Sequence, residues 1–198
     1  MKRLLCVLSA LLLAGCVPLL KSPGPSRVFN LTAPKPAVAT ESARLPIQLS
    51  VDELAAGGAL ESNRIVVYAK PLELQYLAGA QWSERSTRLW QRLMVETIES
   101  SGRFRAVSSS GQALKADWNL LGELIEFQAH IGADGAAQIR VRLSLKLVEN
   151  PSLKVREQRT FQARIDAPRS DPDSIIAAFE QATRQVLTDL ALWVGSQT

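Results

Sequence analysis

The chain has 198 residues, of which 46% are hydrophobic and 21% are charged, and this length and composition fit a single globular domain. The 23 basic and 19 acidic side chains give a net charge of +4, which is too nearly balanced to indicate a nucleic-acid-binding protein. With two cysteines and one histidine, the chain also lacks the ligands of an ordinary zinc site.

Residues 1–15 have the pattern of a secretory signal peptide, with two basic residues before a short apolar run and small residues before the cut. Cys16 follows the predicted cleavage site directly, and Leu13-Ala14-Gly15-Cys16 resembles the lipobox of bacterial lipoproteins. We therefore predict a lipoprotein signal peptide over residues 1–15 and lipidation of Cys16, with several acyl chains acting as a permanent anchor. The alternative is a plain secreted protein in which Cys16 has no role.

The residue after Cys16 is Val17 and not Asp. In the sorting pattern of such lipoproteins, this choice implies export to the outer membrane. Cys6 leaves with the signal peptide, so the mature chain is expected to have neither a disulfide nor a free thiol.

Residues 16–43 are rich in proline, a composition that favours extended chain, and we predict a tether there. The apolar segment Arg27–Leu31 interrupts the tether and is expected to dock as a short strand, which would leave roughly ten free residues. Residues 44–198 form the predicted globular domain.

The first part of this domain predicts strands. Leu45–Val51 alternates apolar and polar residues, as a half-buried strand does. Ile65–Ala69 and Leu72–Leu77 are expected to form a hairpin with Pro71 in the turn. The glycine-containing segment Glu53–Ser62 between them is predicted to be a mobile loop.

A helix is predicted from Glu84 to Ser101, with Ser83 as its cap and Gly102 as a left-handed stop. Its apolar stripe should pack on the sheet. A short strand, Arg103–Val107, is expected to follow.

Two long strands, Asp117–His130 and Ala137–Val148, are predicted around an Asp-Gly turn, with one buried and one solvated face. Lys154–Ile165 should add a third strand. A final helix is expected to start at Asp171 as cap and Pro172 as first residue, and to run to Val194, closed by Gly195.

Catalytic chemistry finds little support in the sequence. His130 is the only histidine, and no Gly-x-Ser-x-Gly elbow accompanies it. Glu123 and Glu126 lie three residues apart on one predicted strand, so they point to opposite faces and are poor candidates for an acid–base pair. Neither standard glycine-rich phosphate loop occurs. We therefore predict no catalytic residue, no metal site and no cofactor.

The aromatic residues offer candidates for protein binding. Trp118 and Trp193 lie on a strand and on a helical stripe, so they are expected in the core. Tyr76 and Trp82 lie at element ends, where core and interface positions are almost equally expected, and we name them as candidate partner-binding residues.

One face of the long strands is basic. It is expected to be a solvated face, with an acidic partner as the alternative. Its members are Arg140, Arg142, Lys146, Lys154, Arg156 and Arg164.

Several short sequence motifs, in their order along the chain, resemble those of a known family over nearly the whole mature chain. They are Cys16, Phe29-Asn30-Leu31, Ile65-Val66-Val67-Tyr68, Tyr76 with Trp82-Ser83-Glu84, and Ser100-Ser101-Gly102-Arg103-Phe104. Their order and spacing are similar to those of the ABC-type transport auxiliary lipoproteins that accompany MCE-domain lipid transporters. The departures are Phe29, where the family more often has Tyr, and Trp90 inside the helix.

The resemblance implies an α/β fold of the α+β type, in which a mixed, mainly antiparallel sheet is packed by two amphipathic helices in one domain. It also implies a non-catalytic outer-membrane lipoprotein that faces the periplasm and docks onto the MCE component of a system moving lipids or other apolar molecules between two membranes. ATP hydrolysis would belong to a separate subunit. The expected partners are the MCE-domain protein, the outer membrane through the lipid anchor and, in a homo-oligomer, a second copy of the chain.

Two other functions are compatible with the residues alone. One is an assembly or stabilising lipoprotein for an outer-membrane β-barrel complex, which would share the anchor and a small fold. The other is a lipid-hydrolysing enzyme, which would require His130 for activity.

Overall fold

A computed structural model describes residues 26–35, 44–111 and 115–197. The predicted signal peptide, Cys16 and most of the predicted tether lie outside these residues. In chain order, the elements are β1 (Arg27–Phe29), β2 (Leu45–Val51), β3 (Ala55–Ala56), β4 (Arg64–Lys70), β5 (Glu73–Trp82), α1 (Ser86–Ser100), β6 (Phe104–Ser109), β7 (Trp118–Ile131), β8 (Ala137–Glu149), β9 (Val155–Ala167) and α2 (Pro172–Gly195).

Strand β7 is the centre of a single mixed sheet. Along one edge it pairs with β8, and β8 pairs with β9, both in antiparallel orientation. Along the other edge three strands follow one another, all parallel to β7: β2 at its start, β3 in the middle and β4 at its end. Strand β5 extends the sheet antiparallel to β4, whereas β1 and β6 add parallel pairings. The predicted mixed sheet is therefore confirmed, with the longest pairings antiparallel.

The two helices cover one face of this sheet, because alternate residues of the long strands are apolar. On β8, Leu143 is fully buried, whereas its neighbours Arg142 and Ser144 lie on the opposite, partly solvated face. The covered face is filled by large side chains from several elements. Its aromatic centre consists of Trp82, Trp90, Phe127 and Phe179. We call the opposite, partly solvated face of the sheet the outer face.

The first helix starts two residues later than predicted. Helix α1 begins at Ser86, and no side chain caps it. The Ser83 hydroxyl, predicted as the cap, donates instead to the side-chain oxygen of Asn30 at 3.2 Å. The backbone N–H of Ser86 donates to the Ser62 carbonyl at 3.0 Å, which satisfies one of the free donors at the helix start. Gly102, with a φ of 67°, follows the helix as predicted.

The predicted mobile loop is partly built into the sheet. Residues 55–56 form β3, and Leu54 and Leu60 are buried in the core. The sequence pattern failed here because a two-residue strand is too short to show a period. At the other end of the chain, the carboxylate of Asp171 accepts from the Ser174 N–H at 3.1 Å, as predicted for the cap of α2. Gly195 is the last residue of that helix.

Candidate functional site

The chain enters the domain through a docked segment. Strand β1 pairs in parallel with β5, so that Arg27 lies beside Ala80 and Phe29 beside Trp82. Two residues later, Leu31 is only 1% exposed and belongs to the core. The predicted docking of this segment as a short strand is confirmed.

Polar contacts then fix the segment to α2. The guanidinium of Arg27 donates to the Asp173 carboxylate at 2.7 Å, and this hydrogen bond holds the pKa of Asp173 below its ordinary value. The backbone N–H of Thr32 donates to Glu180 at 3.1 Å, and Arg184 donates to the same carboxylate at 3.0 Å. The segment therefore contacts α2 at two positions, Asp173 in its first turn and Glu180 two turns later.

A second set of contacts joins the segment to α1. The side-chain oxygen of Asn30 accepts from Arg92 at 2.7 Å. Arg92 also pairs with Glu84 at 2.8 Å and with Glu96 at 3.1 Å, so it is held from both sides. We call residues 27–32 with these partners on α1 and α2 the tether clamp. It fixes residues 27–32 of the chain to both helices of the domain.

Trp82 is a core residue and does not line a surface. It is 1% exposed, its ring stacks on Phe127 with centroids 5.3 Å apart, and it meets Phe179 edge-on at 5.2 Å. Strand β5 continues through Trp82 and carries this side chain under the helices. The expectation that its side chain contacts a partner is therefore corrected.

Tyr76 lies on the outer face and is half-buried. It pairs with Val66 across β4 and β5, and the guanidinium of Arg64 lies 3.4 Å from the centre of its ring. Such a cation–π contact stabilises the position of the ring, which also packs against the core. The role of Tyr76 as a partner-binding residue stays a prediction.

His130, the only histidine of the chain, lies on the outer face near Tyr76. Tyr68 and His130 pair across β4 and β7, and their rings stack with centroids 5.1 Å apart. The Nε2 atoms of His130 and Gln128 lie 3.0 Å apart. Partial burial, with a further contribution from Arg140, lowers the pKa of His130 below its ordinary value. The imidazole is thus held by a ring and an amide, and its lowered pKa favours the neutral form.

The predicted basic face is real but partly neutralised. Arg142 and Glu126 form an ion pair at 2.9 Å, and Arg156 pairs with Glu149. The register brings Arg140 beside Arg164 on β9, so like charges are adjacent there. An acidic partner for this part of the outer face stays a prediction.

The described part of the chain contains neither a cluster of metal-ligating side chains nor a membrane-spanning helix. Across residues 26–35, 44–111 and 115–197, no three side chains of His, Cys, Asp or Glu come together as metal ligands would. Neither helix in the same ranges has both the length and the hydrophobicity to cross a bilayer.

The sequence from residue 29 to residue 191 matches the family described as the ABC-type transport auxiliary lipoprotein component. The chain belongs to this family. A Xanthomonas campestris protein of family DUF330 has a similar crystal structure, with a TM-score of 0.78 and 27% identity over 85% of this chain and 94% of that one. A second structure, of an uncharacterized protein, gives a TM-score of 0.66 at 14% identity over 86% and 99% of the two chains. No curated protein matches the sequence.

Membership of the family agrees with the resemblance seen in the sequence and associates the chain with an ABC transport system. The match begins at Phe29, inside the tether clamp, so the docked segment belongs to the family domain. The partners of this segment on the helices could not be seen in the sequence. Asp173, Glu180 and Arg92 have the spacing of ordinary solvated helix faces.

Proposed function

We propose that this auxiliary lipoprotein is anchored in the outer membrane through Cys16, faces the periplasm and serves as a non-catalytic subunit of an MCE-type transport system. The system would move lipids or other apolar molecules between the inner and outer membranes. The observation that carries the proposal is the tether clamp, which joins the segment after the predicted lipidated cysteine to a domain of the matched family. A fixed attachment of this kind suits a protein that positions a partner relative to a membrane.

The surroundings of His130 support a non-catalytic role. A general base needs a reacting group within hydrogen-bond reach and a partner that orients it. His130 instead stacks on Tyr68, and its Nε2 lies against the Gln128 amide. No serine or carboxylate among the described residues is hydrogen-bonded to this ring, so a hydrolytic triad has no support here.

The outer face around Tyr76 is the proposed docking surface for the MCE-domain partner. Here the ring of Tyr76 is held by Arg64. Residues paired across neighbouring strands connect Tyr76 to the basic side chains of Arg140 and Arg164 on the same face. Aromatic and arginine side chains provide most of the binding energy at typical interfaces. The basic rows would select an acidic surface on the partner.

Photo-crosslinking in intact envelopes tests the proposal. The full lipidated chain would carry a photoreactive residue at Gln162, which is exposed on the outer face beside Arg142, or at Gln185, which is exposed on α2. We expect capture of an MCE-domain protein from Gln162 and not from Gln185. Capture of an outer-membrane β-barrel protein from Gln162 would support the assembly function instead, and capture from Gln185 alone would move the docking surface to the helices.

A homo-oligomer stays a prediction, and the same experiment addresses it. Crosslinks between two copies of the chain would identify the surface through which they associate. We expect that surface to leave Tyr76 accessible, because the MCE-domain partner would need it.

A further inference from the structure

Two hairpin tips of the sheet carry exposed leucines in a left-handed backbone conformation. Leu72, between β4 and β5, has a φ of 66° and is 99% exposed. Leu153, between β8 and β9, has a φ of 56° and is 71% exposed. Bulky residues are disfavoured in this conformation, which glycine adopts freely. Neither leucine gains burial in the fold, so the packing of the domain does not account for either side chain.

The two tips lie at opposite ends of the sheet. Strand β4 runs parallel to β7 with Tyr68 beside His130, so the Leu72 tip lies near the end of β7. Leu153 lies beyond the other end, because Glu149 of β8 pairs with Trp118 at the start of β7. We call the end with Leu72 the tether end and the end with Leu153 the far end.

The chain enters the domain near the tether end. Because β1 is parallel to β5, its first residue, Arg27, is at the end of β1 that faces the start of β5 and the Leu72 tip. The ion pair of Arg27 with Asp173 places this entry beside the first turn of α2. That turn follows β9, whose last residue, Ala167, pairs with Ala137 beside the β7–β8 turn at the same end.

The length of the tether limits which end can reach the membrane. Ten peptide units join Cys16 to Ser26, and they can span at most about 35 Å. Leu153 lies roughly 40 Å from the level of Ser26, because it lies beyond most of the length of β7 and β8, which rise about 3.3 Å per residue. If the domain stands upright on its anchor, Leu72 can therefore lie at the bilayer and Leu153 cannot.

We propose that Leu72 inserts into the surface of the membrane that holds the lipid anchor, so that the tether end faces the bilayer and the far end points away from it. This inference rests on the lipid anchor of the proposed function. The tip itself carries the ion pair of Lys70 with Glu73 at 3.7 Å, and Arg169 pairs with Asp171 at 2.8 Å at the same end of the sheet. The approach of an apolar side chain to the bilayer is thus not opposed by a strong local charge, and a shallow apolar contact adds to an acyl anchor.

Fluorescence of a probe at each tip tests the proposal. The lipidated mature chain, labelled through Leu72→Cys or Leu153→Cys with an environment-sensitive fluorophore, would be placed in vesicles of phosphatidylethanolamine and phosphatidylglycerol. Acylation of Cys16 leaves no other thiol to label. We expect a blue shift and quenching by spin-labelled lipids at position 72 and neither at position 153. Equal spectra at the two positions would overturn the proposal.

Two other outcomes have distinct meanings. A blue shift at position 72 that depends on protein concentration, and not on vesicles, would show that the tip contacts a second copy, which also overturns the proposal. Failure of the lipidated chain to float with the vesicles would contradict the anchor itself, and with it the proposed function.

A pair of glycine variants separates the contact from folding. Leu72→Gly and Leu153→Gly each remove an exposed side chain from a position whose φ suits glycine, so both should melt no lower than the wild-type chain. Vesicles should slow amide exchange at the Leu72 tip in the wild type and in Leu153→Gly, and not in Leu72→Gly. Equal protection in both variants would contradict the insertion of Leu72.

Discussion

The guanidinium of Arg27 and the carboxylate of Asp173 are 146 positions apart in the chain, and they meet at 2.7 Å to join the tether to the first turn of α2. Both side chains are exposed, so the pair fixes the position of β1 more than it stabilises the domain. It lies at the start of the tether clamp, where the chain passes from the predicted tether to the sheet.

The first prediction concerns the pH dependence of this pair. The hydrogen bond from Arg27 lowers the pKa of Asp173, so its contribution is present above the ordinary aspartate pKa of about 3.9 and is lost as the pH falls through the lower pKa of the folded state. We expect Arg27→Ala to raise the pKa of Asp173 toward the ordinary value. Titration of the carboxyl carbon chemical shifts by NMR measures the change.

Asp171 is the internal control for that titration. Its pKa is lowered first by a hydrogen bond from Arg169, which does not involve Arg27. The pKa of Asp171 should therefore stay near its wild-type value in Arg27→Ala. If the pKa of Asp173 is also unchanged, the ion pair does not form in solution.

The second prediction concerns Leu31, which a truncation at the predicted domain boundary would remove. Because it is buried in the core, Leu31→Ala should lower the free energy of unfolding by about 2–5 kcal/mol. Val28→Ala, in the exposed part of the same segment, should change it by less than about 0.5 kcal/mol. Urea denaturation measures both. Equal midpoints for the two variants would show that the segment is not part of the folded domain.

Elements that depend on neighbouring residues were predictable from the sequence. The bounds of β2 follow from its alternation, and the cap of α2 follows from Asp171 and Pro172. The succession of β2, β3 and β4 along one edge of β7 was not predictable, because parallel pairing joins segments that share no turn. The stack of Tyr68 on His130 depends on that pairing.

Trp82 shows why the candidate site was only partly predictable. Tyr76 and Trp82 are an even number of positions apart, so a regular strand would place both on one face. The register between β4 and β5 shifts between the pairs Val66–Tyr76 and Arg64–Gln81, and Gly79 has a φ of 69° within the shift. A shift by an odd number of residues moves later side chains to the opposite face, which places Trp82 in the core.

The third prediction concerns His130. His130→Ala should leave transport unchanged and should cost at most about 0.5–1.5 kcal/mol through loss of the stack on Tyr68. Because the folded state has the lower pKa, stability should fall as the pH drops from about 6.5 through the pKa of the folded state. The variant should lose this slope, which thermal melts at several pH values measure. Loss of transport in a folded His130→Ala protein would support the enzymatic alternative.

The last prediction separates the two aromatic candidates of the sequence. Tyr76→Ala should lower the free energy of unfolding by less than Trp82→Ala does, because Tyr76 is only half-buried, and should weaken binding of the MCE-domain partner by about 2 kcal/mol, the scale of an interface hot spot. Trp82→Ala should instead cost about 3–5 kcal/mol of folding free energy, because it empties the space between Phe127 and Phe179. Pull-down of the partner, together with circular dichroism melts of the same samples, distinguishes the two effects.

Tyr76→Phe is the matched control, since it keeps the ring beneath Arg64, and it should bind as the wild type does. Unchanged binding by a folded Tyr76→Ala protein would remove Tyr76 from the docking surface and leave the basic rows around Arg140 and Arg164 as the part of the outer face to test.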